Sequence, residues 1–320
     1  MLPPLILSPI YRRYLWGGRR FESAFGRRLP EPGPYAESWQ LVDRGTDQSV
    51  VAAGPLAGTT LGSLVQTRGV DLLGRHAPRA AFPLLFKFLD ACQDLSVQVH
   101  PDDVRAAALG TPDLGKTEAW YVIDAVAGSR IYAGLRAGVT RDDLAEALRA
   151  GRCDEVIHSF PVQAGDCVFI PAGTVHAIGA GLLVAEIQQS SDVTFRLHDW
   201  NRVGPDGQPR ALHVEAGLEA TTRLGPVAPV TRMPTADPLV MRLVGCDYFV
   251  FDEVRPRGGW EVGGDDACHF VAVLSGSVDF EPRWNLPPLG PGDAVFLPAS
   301  AGRQSLTATG SATLLRVMLP

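Results

Sequence analysis

Lysine is nearly missing from this 320-residue chain: of 29 basic residues, all but Lys87 and Lys116 are arginine. An ammonium is a compact charge whose pKa shifts on burial, whereas a guanidinium stays charged. The two retained lysines therefore mark places where that difference can be used, and both lie within about twenty residues of His100. Cysteine is sparse too. Cys92, Cys153, Cys167, Cys246 and Cys268 are scattered, odd in number and form no CxxC pair. That excludes a disulfide framework, gives thiolate metal ligation little support and leads us to expect reduced thiols in a cytoplasmic protein. No apolar run is long enough to span a bilayer. The apolar opening MLPPLILSPI lacks the basic start and small-residue cleavage site of a secretion signal. Positive charge is not in excess either: the net charge of −6 argues against nucleic acid or an acidic membrane as partner. An anionic small molecule would need a local basic cluster.

Turns and short β runs are plentiful. The chain has 34 glycines and 26 prolines, and they separate runs such as ESWQLV, FPLLFKFLD, LSVQVH, TEAWYVI, DCVFIPA, LLVAEIQQ, HFVAVLSGSVDF and ATLLRVML. This texture predicts an all-β sandwich or barrel. Helical patterns are few: Asp102–Leu109 after Pro101, TRDDLAEALRAG with Thr140 as N-cap and Gly151 as stop, and a short segment around Leu61–Leu73. Residues 203–210 and 224–238 read as loop or linker.

An internal repeat sharpens the fold. AGDCVFIPAGTVHAI (164–178) aligns without gaps on PGDAVFLPASAGRQS (291–305). Gly-Asp makes a tight turn into a strand, and proline ends it. The pattern resembles the second motif of the cupin superfamily, a double-stranded β-helix barrel. Two such barrels are expected, a catalytic one over 1–225 and a second over 226–320. The second has Arg303 where the first has His176, so only the first keeps a ligand-capable histidine.

The candidate chemistry lies in the first barrel. In SVQVHPDD, alternation puts Ser96, Gln98 and His100 on the face opposite Val97 and Val99, and Pro101 ends the strand. His100, Glu118 and His176 together form a two-imidazole, one-carboxylate set that leaves a position open for water or substrate, as in catalytic zinc sites. The same set could hold Fe(II) as a facial triad. Gln98 is either a fourth ligand or a support for one. A lone strand histidine is more often a hydrogen-bonded core residue; the combination in this order is what favours a metal site. Lys116 precedes Glu118 by two residues, and a nearby divalent cation would disfavour its charged form. Further on, Glu186, Gln188, Asp192 and Arg196 share parity, unless the SSD turn breaks the alternation.

The motifs YLWGG (14–18), AESWQL (36–41), FPLLFKFLDA (82–91), LSVQVHPDD (95–103), LGKTEAWYVI (114–123), AGDCVFIPAGTVHAIG (164–179) and AEIQQSSDVTFRLHDWNR (185–202) stand in one order over most of residues 10–215. In this the chain resembles type I mannose-6-phosphate isomerases (phosphomannose isomerases), specifically their short bacterial form. The resemblance implies one zinc ion per chain, held by Gln98, His100, Glu118 and His176. It implies Arg196, Lys116 and Glu186 as catalytic residues, with Ser96 and Lys87 near the sugar phosphate. It also implies a zinc-dependent interconversion of mannose 6-phosphate and fructose 6-phosphate through a cis-enediol, by a monomer or homodimer. Lys116 and Glu186 both stand as candidates for the base. Phe195 and His198 depart from the family pattern, where tyrosines are expected. Competing readings are another metal cupin, such as an Fe(II) oxygenase, and a non-catalytic sugar-phosphate sensor.

Overall fold

The computed structural model describes residues 1–203 and 207–320. The expected loop 203–210 therefore lies partly outside the described residues. The chain is all-β with short helices, and its strands build two barrels of the cupin type. In the first barrel one wall is a six-stranded antiparallel sheet ordered Cys167–Ile170, Glu118–Ala125, Leu182–Gln189, Leu84–Ala91, Glu37–Leu41, Ile10–Arg12. The opposite wall is five-stranded, ordered Ile157–Pro161, Arg130–Leu135, His176–Ile178, Val97–Val99, Phe195–His198. The second barrel pairs a six-stranded sheet containing Val250–Val254, Thr313–Met318 and His269–Ser275 with a three-stranded one.

Period-2 alternation explains how the barrels meet. Along Leu84–Ala91, the residues Leu84, Phe86 and Phe88 face a core shared with Phe251, Phe270, Phe296 and Val317 of the second barrel. The rings of Phe86 and Phe270 lie 5.0 Å apart, and those of Phe82 and Phe296 5.5 Å. Each fully buried phenylalanine contributes on the order of 1.5–3 kcal/mol. The intervening Leu85, Lys87 and Leu89 face the first barrel's interior, which is why a strand buried along its whole length carries a charge. The amino-terminal segment reaches the second barrel as well: Leu5 and Phe296 exchange both backbone hydrogen bonds.

The repeat is a repeat of turns. Gly165 and Gly292 both adopt positive φ, at 97° and 81°, a region that favours glycine. Asp166 Oδ2 accepts the Gln163 amide at 2.9 Å, and Asp293 Oδ2 accepts the Gly290 amide at 2.8 Å. The three expected helices form at Leu61–Leu73, Asp103–Ala108 and Arg141–Arg149, with Thr60, Asp102 and Thr140 as N-caps. Two more, Arg20–Phe25 and Val214–Ala220, went unread; both are short and neither has a side-chain cap to announce it. Among the described residues no helix is long and apolar enough to cross a membrane.

Candidate metal and active site

Strands of both walls converge on a cavity of ≈ 370 Å³ in the first barrel. Val97 and Val99 are fully buried in a hydrophobic cluster on one side of their strand, while Ser96 and Gln98 line the cavity on the other. Gln98 is the register partner of both His176 and Arg196, so the five-stranded wall places an amide between an imidazole and a guanidinium. Glu118 opens its strand on the opposite wall.

His100, Glu118 and His176 are all buried, and their ligand atoms lie within 4.8 Å of one another. His176 Nε2 is 3.3 Å from Glu118 Oε1, and His100 Nε2 is 3.6 Å from Glu118 Oε2. The other ring nitrogens are spoken for. His100 Nδ1 is 2.7 Å from the Val193 carbonyl and His176 Nδ1 is 2.8 Å from the Thr174 carbonyl. A carbonyl can only accept, so each Nδ1 carries the proton and each Nε2 presents a lone pair toward Glu118. Burial holds both imidazoles neutral, with His100 far below its ordinary pKa and His176 lowered to about 4. His100 Nε2 and both Glu118 oxygens are buried without a hydrogen-bond partner; Lys116 Nζ stands 3.1 Å from Glu118 Oε2, in ion-pair reach only. Unsatisfied buried acceptors cost about 1–3 kcal/mol each, and more when charged. This donor set fits a divalent cation. Gln98 joins it at the edge, its Nε2 3.3 Å from His176 Nε2; turning the amide would offer the carbonyl oxygen instead.

A row of charges leads away from the cluster. Lys116 Nζ lies 3.9 Å from Glu186 Oε1, Lys87 Nζ 3.4 Å from the same oxygen, and Lys87 Nζ 3.2 Å from Glu37 Oε1. Three carboxylates thus face two ammoniums and two neutral imidazoles, a deficit of positive charge that a metal ion offsets. Burial pushes the carboxyl of Glu186 up, against the pull of Lys87. Burial alone would lower Lys87, but Glu186 and Glu37 outweigh it and hold the ammonium above its ordinary range.

Arg196 lies at the rim, its Nε 3.3 Å from Ser96 Oγ and its Nη1 3.0 Å from the Ala211 carbonyl. Among the described residues no carboxylate lies within ion-pair distance of it. Burial and the neighbouring Arg210 lower its pKa. The shared parity of the 186–196 stretch ends at the turn: Gln188 gives its amide to Gln189 and Ser191 carbonyls, and Asp192 stands exposed at the rim, 3.8 Å from Arg44. His198 packs edge-on to Trp200 at 5.4 Å and is not among the cavity-lining residues; Phe195 faces His213.

Sequence reasoning did not single out Glu37, Trp39 or Arg44, all of which line the cavity. For Glu37 and Trp39 a signal was present, since they share parity in ESWQL. For Arg44 there was none.

Two stacked cupin barrels, one with a buried His/Glu/His cluster under a charged cavity, define a cupin enzyme with a metal-binding site. The comparisons narrow the class. The family model for the catalytic domain of type I phosphomannose isomerase matches residues 5–121. The mannose-6-phosphate isomerase ManA of Bacillus subtilis is 34% identical over 95% of both chains, and a mannose-6-phosphate isomerase of Streptococcus mutans is 39% identical over 69% of each. The crystal structure of the mannose 6-phosphate isomerase from Bacillus subtilis matches with a TM-score of 0.88 at 30% identity, over 99% of each chain. The apo form from Salmonella typhimurium, 17% identical with a TM-score of 0.79, shares the fold. The chain belongs to the type I phosphomannose isomerase family and is an isomerase of that kind.

Proposed function

We propose that this isomerase interconverts D-mannose 6-phosphate and D-fructose 6-phosphate through a cis-enediol, with zinc as its metal. The observation that carries the reading is the set of orphaned acceptors, His100 Nε2 and the Glu118 carboxylate, buried beside the Gln98 and Lys116 that line a charged cavity, in a chain of this family. His100, Glu118 and His176 hold the ion, with Gln98 as the fourth donor. When bound, zinc supplies Lewis acidity that polarises and orients sugar oxygens. The protein moves the proton. Lys116 and Glu186 stand side by side along the cavity wall, and each is a candidate for the single base that takes the proton from one carbon and returns it to the next. Lys116 and Arg196 face the oxygens on which negative charge develops, and fixed cations in a water-poor pocket are effective there. Ser96, bonded to Arg196, faces the phosphate end, and Lys87 lines the same cavity.

Residues 1–225 form the catalytic unit in this reading and 226–320 an accompanying barrel, in a monomer or homodimer. The free thiols suit a reducing compartment, the cytoplasm. The test is a coupled assay with mannose 6-phosphate before and after chelation, with zinc added back. Activity is expected to vanish and return; an inactive zinc-restored sample overturns the assignment. Metal analysis of protein purified without added metal separates zinc from Fe(II).

A further inference from the structure

The sequence reading sets Lys87 beside the sugar phosphate. In the fold its ammonium is enclosed by two carboxylates, 3.2 Å from Glu37 Oε1 and 3.4 Å from Glu186 Oε1. A phosphate arriving there would meet two like charges around a cation already neutralised. The rim offers a better anchor, since Arg196, bonded to Ser96, has no carboxylate within ion-pair distance among the described residues.

Glu37 is itself held. Its second oxygen, Oε2, accepts the Trp39 indole N–H at 2.6 Å, in a buried bond. Three adjacent strands of one sheet carry the chain: Trp39 is the register partner of Lys87, and Lys87 of Glu186. Side chains at such positions stand on one face about 5 Å apart. The indole fixes Glu37, Glu37 fixes the ammonium, and the ammonium stands 3.4 Å from Glu186 Oε1, a buried oxygen without a hydrogen-bond partner. We propose that Glu37 is a positioning residue for Glu186, acting through Lys87, and that Lys87 serves this linkage rather than gripping phosphate. The proposal rests on the reading that Glu186 acts on the sugar.

The test uses the full-length, metal-loaded enzyme. In Glu37→Gln, kcat is expected to fall about 10- to 100-fold, the range typical when a group orienting a reacting residue is lost. KM for mannose 6-phosphate and metal content are expected to hold, and Glu37→Asp to recover part of kcat. A second readout does not need turnover. The chain has two lysines, so lysine labelled with ¹⁵N at Nζ gives two ammonium signals, and proton exchange at Lys87 is expected to speed up in Glu37→Gln. Unaltered kcat with a changed KM, as a phosphate-gripping Lys87 would show, overturns the proposal. So does a Lys87 signal identical to that of the parent enzyme. Should Glu37→Gln not fold, Trp39→Phe removes the indole bond alone. There kcat is expected to drop about fivefold, the worth of one such bond, and no drop overturns the proposal. An inactive parent enzyme would overturn the reading of the reaction and not the linkage, which the ammonium signal reports independently.

Discussion

The same turn opens into two different interiors. After Gly165–Asp166 the first barrel delivers His176 into a buried cluster with His100 and Glu118. After Gly292–Asp293 the second barrel arrives at Arg303, which is exposed and pairs with Glu261 across 3.4 Å. Inside the second barrel Val254, Val271, Val273, Val295, Leu306 and Leu314 pack into a continuous apolar cluster. Its buried Asp252 has both oxygens taken, by Arg242 and Arg316. One scaffold therefore keeps polar atoms unsatisfied at the cost of stability, and the other fills the same space with methyl groups. Where the chemistry sits is decided by which side chains face inward, not by the barrel.

The sharpest way to test this contrast is to remove a polar group from the first barrel. His176→Ala takes one donor from the cluster. Metal content should drop below one per chain and turnover by about 10³-fold or more, the worth of a Lewis acid in such a site. Metal analysis beside the coupled assay checks both. Arg196→Ala should spare the metal and cost turnover about 10²- to 10³-fold, as loss of one fixed charge-stabilising donor does. Full activity in that variant would take Arg196 out of the chemistry.

The second barrel should answer in stability instead. Leu314 is fully buried, and Leu314→Ala should cost about 2–5 kcal/mol in denaturant unfolding while kcat and KM stay near those of the parent. At the seam, Glu253 joins the barrels by accepting from Tyr121, Arg232 and Arg255. Burial alone would raise its carboxyl; those bonds outweigh it and hold the group below the usual carboxylate range. A depressed acid stabilises the fold above its unfolded pKa, about 4.3, and the contribution is lost as pH falls through the folded value. The stability gap between the parent and Glu253→Gln should thus be full at neutral pH and shrink on acidification below about pH 4. Urea titrations at two pH values would show it. The smallest effect is expected from Arg303→His, which restores the histidine of the repeat: metal content should stay unchanged. The buried Asp252 is held by Arg242 and Arg316 and the buried His269 pairs with Asp265, and among the described residues only His100, Glu118 and His176 gather as a group able to hold a metal.

Much of the site was legible because its signals are local. Strand alternation in SVQVHPDD separates Val97 and Val99 from Ser96, Gln98 and His100, and the turn before His176 repeats at 291–305. Lys116 announced itself by the rarity of lysine. Glu186, Gln188, Asp192 and Arg196 all line the cavity, but the turn leaves Asp192 exposed at its rim, since alternation holds only while the backbone stays extended. Glu37 escaped notice because its meaning lies in Lys87, fifty residues away in sequence and 3.2 Å away in space.

The amino-acid sequence by itself determined the strands, the paired turns, the donor types and which barrel could hold a metal, all consequences of short-range periodicity and steric preference. Tertiary structure alone decided the rest. Register across three strands set Trp39, Lys87 and Glu186 in line and brought Glu37 to the ammonium. The Val193 and Thr174 carbonyls chose the tautomers that aim two Nε2 lone pairs at one carboxylate. Burial between the barrels then raised the energetic stakes of every charge left inside. Apart from that of Thr174 with His176, those contacts join residues distant in sequence, and no local pattern encodes the register that brings them together.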